Sequence, residues 1–241
     1  MKYCVIIPAR MKSTRFPGKP LHEIMGKSLL LRTYDQCLKA VDRSLIYVAT
    51  DHKEIEAHCL ENNIKVITTS EECLTGTDRV AEAARSIESD YYINVQGDEP
   101  LINPDDIKII IESCNKYNGE IINGYAEIEN SEMWVSKSVP KVVKRQDGRL
   151  LYMSRAPIPG NKEGVFKKGM RQICIYGFPK KALIDFAKYN KKSDLEEIED
   201  IEILRFLELG HEVRMIELSN ESIAVDHIDD VKKVINKLQS K

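Results

Sequence analysis

The densest group of side chains able to do chemistry lies in one loop near the start of the chain. An apolar run ends at Pro8 and opens into a loop with four cations, a hydroxyl and a glycine: Arg10, Lys12, Ser13, Arg15, Gly18 and Lys19. Cations and exposed backbone N–H groups at the end of a buried strand suit a triphosphate. The loop matches neither the Walker A nor the GxGxxG pattern, and many loops rich in Lys and Arg are only solvated surface. Charge alone leaves both interpretations open.

Two aspartates in separate motifs are candidate magnesium ligands. Residues 94–102, NVQGDEPLI, predict an apolar strand that ends in a turn carrying Asp98. Mg²⁺ prefers oxygen ligands and usually keeps waters and substrate phosphates, so the carboxylate pair Asp98 and Glu99 in this position suits it. An ordinary Gly-Asp turn is the alternative. In residues 224–231, AVDHIDDV, Asp226 is either a second ligand or the N-cap of the following helix.

Two further stretches, VATDH at 48–52 and TGTDRVAEAA at 75–84, could border a nucleotide. Thr75, Gly76 and Thr77 precede a predicted helix, where hydroxyl and backbone groups can meet a pyrimidine edge. Capping of that helix by Thr77 or Asp78 needs no ligand and is the alternative. Asp51 is predicted to be a turn residue or a helix cap rather than a catalyst.

Composition narrows the class of protein. The 241 residues are 42% apolar and 31% charged, which suffices for a full core in one α/β domain. A net charge of −2 gives no general affinity for nucleic acid. No apolar run approaches the roughly 20 residues needed to span a bilayer, and no cleavable signal pattern is present. We therefore expect a cytoplasmic protein without membrane insertion.

Neither the cysteines nor the histidines form a recognisable centre. The six cysteines are scattered without a CxxC pair, which predicts reduced core residues rather than zinc ligands or disulfides. The five histidines show no Ser-His-Asp or Cys-His signature, so none is assigned a catalytic role.

Strand-like runs alternate with helical patterns over the first half of the chain. Strands are predicted at 45–50, 65–69 and 91–96, and helices at 54–63, 77–87 and 104–117. This alternation is typical of a parallel, doubly wound sheet that binds ligands at the carboxyl ends of its strands. After Gly119 strand-rich segments follow, and helices return at 181–189, 194–209 and Ile228–Gln239. The predicted fold class is α/β, with a doubly wound, mixed and mostly parallel sheet and a small strand-rich excursion.

Several strings, in collinear order, resemble the CMP-Kdo synthetase (3-deoxy-manno-octulosonate cytidylyltransferase) family. They are IPAR-x-x-STR-x-PGKPL, VATDH, TGTDR, NVQGDEPLI, PKVVKR, LYMSRAPIP, ICIYGF, SDLEEIEDIEILR and VDHIDD. The resemblance implies a fold like that of nucleotide-diphospho-sugar transferases. It also implies transfer of CMP from CTP to the anomeric hydroxyl of a 3-deoxy-2-keto sugar acid, with release of pyrophosphate. Mg²⁺, a homodimer and lipopolysaccharide or capsule biosynthesis are implied as well.

The resemblance also implies a set of site residues. Arg10 and Lys19 would hold the leaving phosphates, and Asp98 and Asp226 would hold Mg²⁺. The implied nucleotide site comprises Ala9, Arg10, Ser13, Lys19, Thr50, Thr75, Gly76, Thr77, Arg79, Gln96 and Asp98. The implied acceptor site comprises Arg155, Gln172, Tyr176 and Glu202. Arg155 is the candidate for the sugar carboxylate, because its planar fork matches two oxygens.

One domain is predicted over residues 1–241, in which roughly 120–178 form a strand-rich lobe for sugar binding and dimerisation. Trp134, with Met133 and Val135, offers apolar anchors for the dimer, although a lone Trp is as often a core residue.

The chain departs from the family pattern at several positions. Lys162, Gln172 and Ile203 stand where many members carry Arg, His and Gln, so we predict a modified or different 3-deoxy-2-keto acid as acceptor, with Kdo as the leading single name. His227 and Ile228 replace the usual Thr-Pro after Asp226. Two other functions remain open: a nucleotidyltransferase for another acidic acceptor, and a non-catalytic nucleotide-binding protein. Binding alone would not need both aspartates together with Arg10 and Lys19.

Overall fold

The computed structural model of the chain describes residues 1–13 and 15–240. The strands are β1 Tyr3–Ala9, β2 Glu23–Ile24, β3 Lys27–Ser28, β4 Ile46–Thr50, β5 Lys65–Thr68, β6 Tyr91–Val95, β7 Ile121–Glu127, β8 Lys141–Lys144, β9 Leu150–Ser154, β10 Met170–Pro179 and β11 Val213–Glu217. The helices are α1 Leu29–Ala40, α2 Lys53–Glu61, α3 Gly76–Ala83, α4 Pro104–Lys116, α5 Ser131–Val135, α6 Lys180–Phe186, α7 Asp194–Glu199, α8 Ile203–Glu208 and α9 Ile228–Gln239.

Seven strands form the main sheet in the order β11-β7-β10-β6-β1-β4-β5. Strand β10 runs antiparallel to both of its neighbours, and the other pairs along this path are parallel. The predicted mixed, mostly parallel sheet is confirmed. Strands β1, β4 and β6 therefore end at one edge, which gathers the three loops that follow them.

Helices cover both faces of this sheet because the buried strands alternate their side chains between two apolar layers. On one face Ile7 and Ile93 pack with residues of α1, α2 and α4. On the other, Ile6 and Tyr92 pack with residues of α3, α6 and α8.

A strand-rich lobe was predicted at 120–178. Within this range, only β8 and β9 lie outside the seven-stranded path of the main sheet. Strands β7 and β10 belong to the main sheet itself, whereas β8 pairs with the start of β10 and with β9. Trp134 is 5% exposed and packs against Phe166, with ring centroids 5.9 Å apart, so the core alternative holds for this side chain.

The prediction of a single helix over 194–209 is wrong, because this segment forms two helices, α7 and α8. Helix α7 ends at Glu199, and Asp200 adopts a left-handed conformation with φ of 51° before α8 begins. Contacts distant in sequence hold this break, because the Glu199 carboxylate accepts hydrogen bonds from the Ser154 hydroxyl and the Arg155 backbone N–H of the β9 end. The helical periodicity of residues 194–209 contains no information about contacts with a distant strand, so the break could not be predicted from it.

Two sequence predictions concern the environment of the chain. All six cysteines are free, and Cys4, Cys37, Cys59 and Cys114 are buried, which agrees with the predicted core role. Within the described part of the chain, no helix has the length and apolar character required to cross a bilayer.

Candidate active site

The opening loop is folded back on itself at the carboxyl end of β1. Gly18 adopts a positive φ of 72° and its N–H donates to the Met11 carbonyl at 3.2 Å. A single 3₁₀ turn, Lys19–Leu21, follows with Pro20 near its start. Glycine suits this left-handed position because it lacks a Cβ. The turn directs Lys19 toward the neighbouring loops, while Arg10 stays exposed.

Lys19 joins two segments that lie far apart in sequence. Its Nζ lies 2.6 Å from Asp98 Oδ2 and 2.8 Å from the Val225 carbonyl oxygen. The Val225 N–H in turn donates to the Asp98 carbonyl at 2.9 Å. The segments that carry Asp98 and Asp226 are therefore adjacent, as a shared site requires.

Asp226 faces the opening loop and does not cap the last helix. Its Oδ1 lies 3.1 Å from Nη2 of Arg15. The N-cap of α9 is His227, which forms a reciprocal capping box with Asp230. The N-cap interpretation of Asp226 is therefore wrong, and its carboxylate is available for other partners.

The pair Asp98 and Asp226 fits Mg²⁺. Both side chains are partly exposed, at 29% and 30%, and both already attract cations. Two carboxylates leave coordination positions for water and phosphate oxygens, which is the usual arrangement for Mg²⁺ in phosphate-transfer sites. Among the described residues, no group of three or more His, Cys, Asp or Glu side chains could hold a metal.

Glu99, next to Asp98, was predicted from the sequence as the second member of a carboxylate pair, but its burial was not predicted. It is 4% exposed and accepts a hydrogen bond from the Ser222 hydroxyl. Burial, and then the negative charge of Asp98, raise the pKa of Glu99 to about 7. The signal for this residue was its place in the QGDEP string, where the second acid directly follows the candidate ligand.

Gly97 explains why the loop after β6 can approach β1 so closely. A Cβ added at Gly97 would lie 2.8 Å from the Pro8 carbonyl oxygen, so a side chain here would force this loop away from β1. A Cβ at Gly76 would lie 3.2 Å from Oε1 of Gln96, which places the start of α3 against the end of β6. Gln96 and Gly76, both predicted nucleotide residues, are therefore neighbours.

The N-terminus of α3 is held from two sides. Thr75 is its N-cap and forms a reciprocal capping box with Asp78, so a capping role for Asp78 is confirmed and Thr77 is not the N-cap. The Glu202 carboxylate accepts hydrogen bonds from the backbone N–H groups of Gly76, at 3.2 Å, and Thr77, at 2.8 Å. Glu202, predicted as an acceptor ligand, thus lies beside the predicted nucleotide residues, and burial raises its pKa.

Arg79 lies beneath this turn rather than on an open wall. It is 2% exposed, donates to the Thr69 hydroxyl, and pairs through Nη2 with Asp51 Oδ2 at 2.9 Å. Asp51 is therefore an ion-pair partner, and His52 is the N-cap of α2. Thr50 is buried at the end of β4, with its hydroxyl accepting from the His52 N–H at 3.2 Å.

Strand β10 carries two of the predicted acceptor residues in one polar group. Gln172 Nε2 donates to Asn123 Oδ1 at 3.0 Å and to the Tyr176 hydroxyl at 3.1 Å. Burial, followed by the nearby Cys174 and Glu202, raises the pKa of Tyr176 well above its ordinary value. Gln172, Asn123 and Tyr176 therefore form one buried polar group on the sheet, and the charge of Glu202 acts on the Tyr176 hydroxyl.

The other predicted acceptor residues are placed differently. The Arg155 guanidinium donates to the carbonyls of Lys137 at 2.9 Å, Glu199 at 2.6 Å and Asp200 at 2.8 Å. This geometry does not support the predicted contact with a sugar carboxylate, because the guanidinium joins two backbone segments, at Lys137 and at Glu199–Asp200. Ile203 is 1% exposed in the apolar layer, whereas Lys162 is exposed.

Comparison of the sequence with known proteins shows which family the chain belongs to. A cytidylyltransferase family model matches residues 4–218. The 3-deoxy-manno-octulosonate cytidylyltransferase of Protochlamydia amoebophila is 39% identical over 95% of this chain and 91% of its own length. The chain belongs to the 3-deoxy-manno-octulosonate cytidylyltransferase family. The enzyme of that name from Chloroherpeton thalassium is 40% identical, over 97% of this chain and 96% of its own.

The family fold extends over the whole of this cytidylyltransferase. A solved structure of CMP:2-keto-3-deoxy-manno-octonic acid synthetase complexed with CTP superposes with a TM-score of 0.92 at 29% identity, covering 100% of this chain and 99% of the other. The chain is therefore a nucleotidyltransferase.

Two polar groups near the site were missed from the sequence. Arg15 was noted as a loop cation, but its contact with Asp226 was not predicted. Asn94, near the carboxyl end of β6, is fully buried, and neither its amide nitrogen nor its amide oxygen has a partner within the described chain. Its register partner on β10 is Tyr176. An Asn inside the apolar string YYINV was the available signal, because a buried amide normally requires hydrogen bonds.

Proposed function

We propose that this cytidylyltransferase transfers CMP from CTP to the anomeric hydroxyl of Kdo or a closely related 3-deoxy-2-keto acid, releasing pyrophosphate. One observation carries the proposal most directly: Lys19 lies within 2.8 Å of both Asp98 and the Val225 carbonyl beside Asp226. A cation suited to phosphates thus lies at the junction of the two carboxylates suited to a metal. A protein that only bound nucleotides would not need this combination.

The chemistry requires positioning and charge stabilisation more than covalent catalysis. In-line attack on the α-phosphate spreads negative charge over several oxygens. Arg10 and Lys19 would stabilise the leaving phosphates, with Ser13 contributing from the same loop. Asp98 and Asp226 would hold Mg²⁺, which supplies Lewis acidity and a template for the phosphates when it is bound.

The nucleoside end of CTP fits the edge formed by the ends of β1, β4 and β6. Gln96, Thr75 and the backbone of Gly76 lie together there and offer hydrogen-bonding groups for a pyrimidine. Ala9 and Thr50 are buried at the ends of their strands and shape the same edge. Arg79 supports this edge from below through its pair with Asp51.

We expect CTP to be the preferred donor and turnover to require Mg²⁺ or Mn²⁺. The reason is that base selection depends on the turn at the start of α3, and charge stabilisation depends on the two aspartates. Pyrophosphate release is measured with each of the four nucleoside triphosphates, with and without excess chelator. Equal rates with GTP or UTP would contradict the base assignment, and full activity in chelator would contradict the metal assignment.

We expect a modified or different 3-deoxy-2-keto acid to be used more efficiently than Kdo, although Kdo is the leading single name for the acceptor. Replacement of Arg by Lys at position 162 removes a bidentate fork. A sugar hydroxyl that met the buried Ile203 in place of Gln would have no partner, at a cost of about 1–3 kcal/mol. Gln172 supports this expectation because its neutral amide is bonded to Tyr176 within the proposed acceptor site. The measurement is kcat/KM over a panel of 3-deoxy-2-keto acids. A value for Kdo above that of every other acid, at about 10⁴ M⁻¹s⁻¹ or higher, would show that the acceptor is unaltered.

We propose a homodimer built through the β8–β9 hairpin. Among the described residues, strand β9 pairs with β8 alone, and its Leu151 is 55% exposed. We expect light scattering at micromolar concentration to give a dimer mass, and Leu151→Asp to give a monomer. Ile184→Asp is the matched control, since Ile184 is 52% exposed on α6, away from this hairpin. A monomeric wild type would refute the dimer, and a dimeric Leu151→Asp variant would place the interface elsewhere.

A further inference from the structure

Both carboxylates proposed to hold the metal are paired with cations of the opening loop. Lys19 Nζ lies 2.6 Å from Asp98, and Arg15 Nη2 lies 3.1 Å from Asp226. The Lys19 ammonium also contacts the Val225 carbonyl at 2.8 Å. It therefore lies among oxygen atoms of the kind that a hard divalent cation prefers.

We propose that Lys19 and Arg15 are exchangeable counter-ions of the metal site. They neutralise Asp98 and Asp226 until the metal–nucleotide complex arrives, and then transfer to the phosphates of the nucleotide. The inference rests on the proposed function, because it takes Asp98 and Asp226 as the metal ligands. It adds a role for Arg15 and an order of events to that function.

The exchange follows from charge balance. A divalent cation that approaches the aspartates alone meets two fixed positive charges and must compete with them for the same oxygens. A triphosphate brings enough negative charge to accept both displaced side chains. Metal and nucleotide should therefore bind cooperatively, and the coupling must be the same in both directions. Couplings of this kind typically amount to about 5- to 150-fold in affinity.

The ion pairs Arg15–Asp226 and Lys19–Asp98 differ in how easily they dissociate. Arg15 is 52% exposed, and exposed pairs are weak because water screens them. Lys19 is only 14% exposed and has a second acceptor in Val225, so its pair is the stronger competitor. We therefore expect Lys19 to control metal affinity more than Arg15 does.

A third cation in the same loop serves as a control. Lys12 Nζ pairs with Glu71 at 2.7 Å, and both side chains are largely exposed. Removing Lys12 lowers the positive charge of the loop by the same amount, but leaves both aspartate pairs intact. A general electrostatic effect would appear in Lys12→Met as well as in Lys19→Met.

The test measures Mn²⁺ binding to the full-length protein by the spin-resonance signal of free Mn²⁺, with Mg²⁺ as competitor. Without nucleotide, Lys19→Met should bind Mn²⁺ about three- to tenfold more tightly than wild type, Arg15→Met should bind it about two- to threefold more tightly, and Lys12→Met should match wild type. Calorimetry with CTP and Mg²⁺, without acceptor, should show CTP binding weakened at least tenfold in Lys19→Met. The opposite signs of these two effects distinguish exchange from simple disruption of the site.

Unchanged or weaker Mn²⁺ binding in Lys19→Met would overturn the inference, provided that thermal unfolding shows a folded variant. Equal tightening in Lys12→Met would overturn it too, because the effect would then be general. Arg15→Met keeps the test decisive if Lys19→Met does not fold, since unchanged Mn²⁺ binding in this exposed variant would also refute the exchange. Failure of the proposed function would appear separately, as a wild type that releases no pyrophosphate.

Discussion

Asp98→Asn and Asp226→Asn should each lose about 30- to 1000-fold in the rate of pyrophosphate release while remaining folded. Asparagine keeps the shape of the side chain and removes the charge that would hold the metal against the phosphates. The loss corresponds to roughly 2–4 kcal/mol, by analogy with deletion of one oxyanion-stabilising group. Lys19→Ala should weaken CTP binding and also slow the reaction. Steady-state kinetics over a range of Mg²⁺ concentrations would measure all three variants.

Asp229→Asn is the matched control for these variants. Asp229 lies three residues from Asp226, but its side chain is 83% exposed and its Oδ1 lies 3.8 Å from Nζ of the exposed Lys232. We expect it to keep wild-type turnover. Near-normal rates with an unchanged metal requirement in Asp98→Asn or Asp226→Asn would show that the residue concerned is not a ligand.

Arg205→Met should lower the free energy of unfolding by about 3–5 kcal/mol, because removing one member of a buried ion pair leaves the other uncompensated. Arg205 is fully buried, donates to the Glu196 carboxylate and to Asp78 Oδ1, and lies 3.7 Å from the ring centre of Phe186. Methionine would fill much of the volume but leave the buried Glu196 carboxylate without its cation. Equilibrium denaturation in urea measures the loss.

The same substitution should also raise the KM for CTP, because Asp78 belongs to the capping box of α3. Arg145→Met provides the stability control, since Arg145 is 39% exposed and its ion pairs with Asp147 and Glu212 lie at the surface. Such pairs contribute about 0–1 kcal/mol. A loss below about 1 kcal/mol in Arg205→Met would show that the buried cluster does not stabilise the fold as argued.

The sequence predicted the parts of the fold that depend on local pattern. Strands such as Tyr91–Val95 are short buried runs flanked by polar turns, and their alternation with helices identified the parallel part of the sheet. Helix α9 was predicted with its exact bounds, Ile228–Gln239, because its apolar stripe is regular. The break at Asp200 was missed, since it depends on contacts between Glu199 and the end of β9.

In the candidate site, too, residues with a local motif were predicted from the sequence, whereas contacts between distant segments were not. Lys19, Asp98 and Asp226 were identified by residue type and motif, and the fold brings their segments together. The partners of Arg155 and Arg79 could not be predicted, because a guanidinium suits a ligand carboxylate and an internal acceptor equally well. Only three-dimensional placement shows that Arg155 donates to backbone carbonyls and that Arg79 pairs with Asp51. The contact of Arg15 with Asp226 spans most of the chain and left no local signal.

The most direct test of the central claim follows the two ends of CTP in one reaction. CTP labelled in the α-phosphate, and separately in the γ-phosphate, is incubated with the wild-type protein, Mg²⁺ and a 3-deoxy-2-keto sugar acid from the acceptor panel. The account predicts that the α-label appears in a CMP-linked sugar acid and the γ-label in pyrophosphate. Transfer of the γ-label to the sugar acid, or no transfer of the α-label to any acid of the panel, would contradict it.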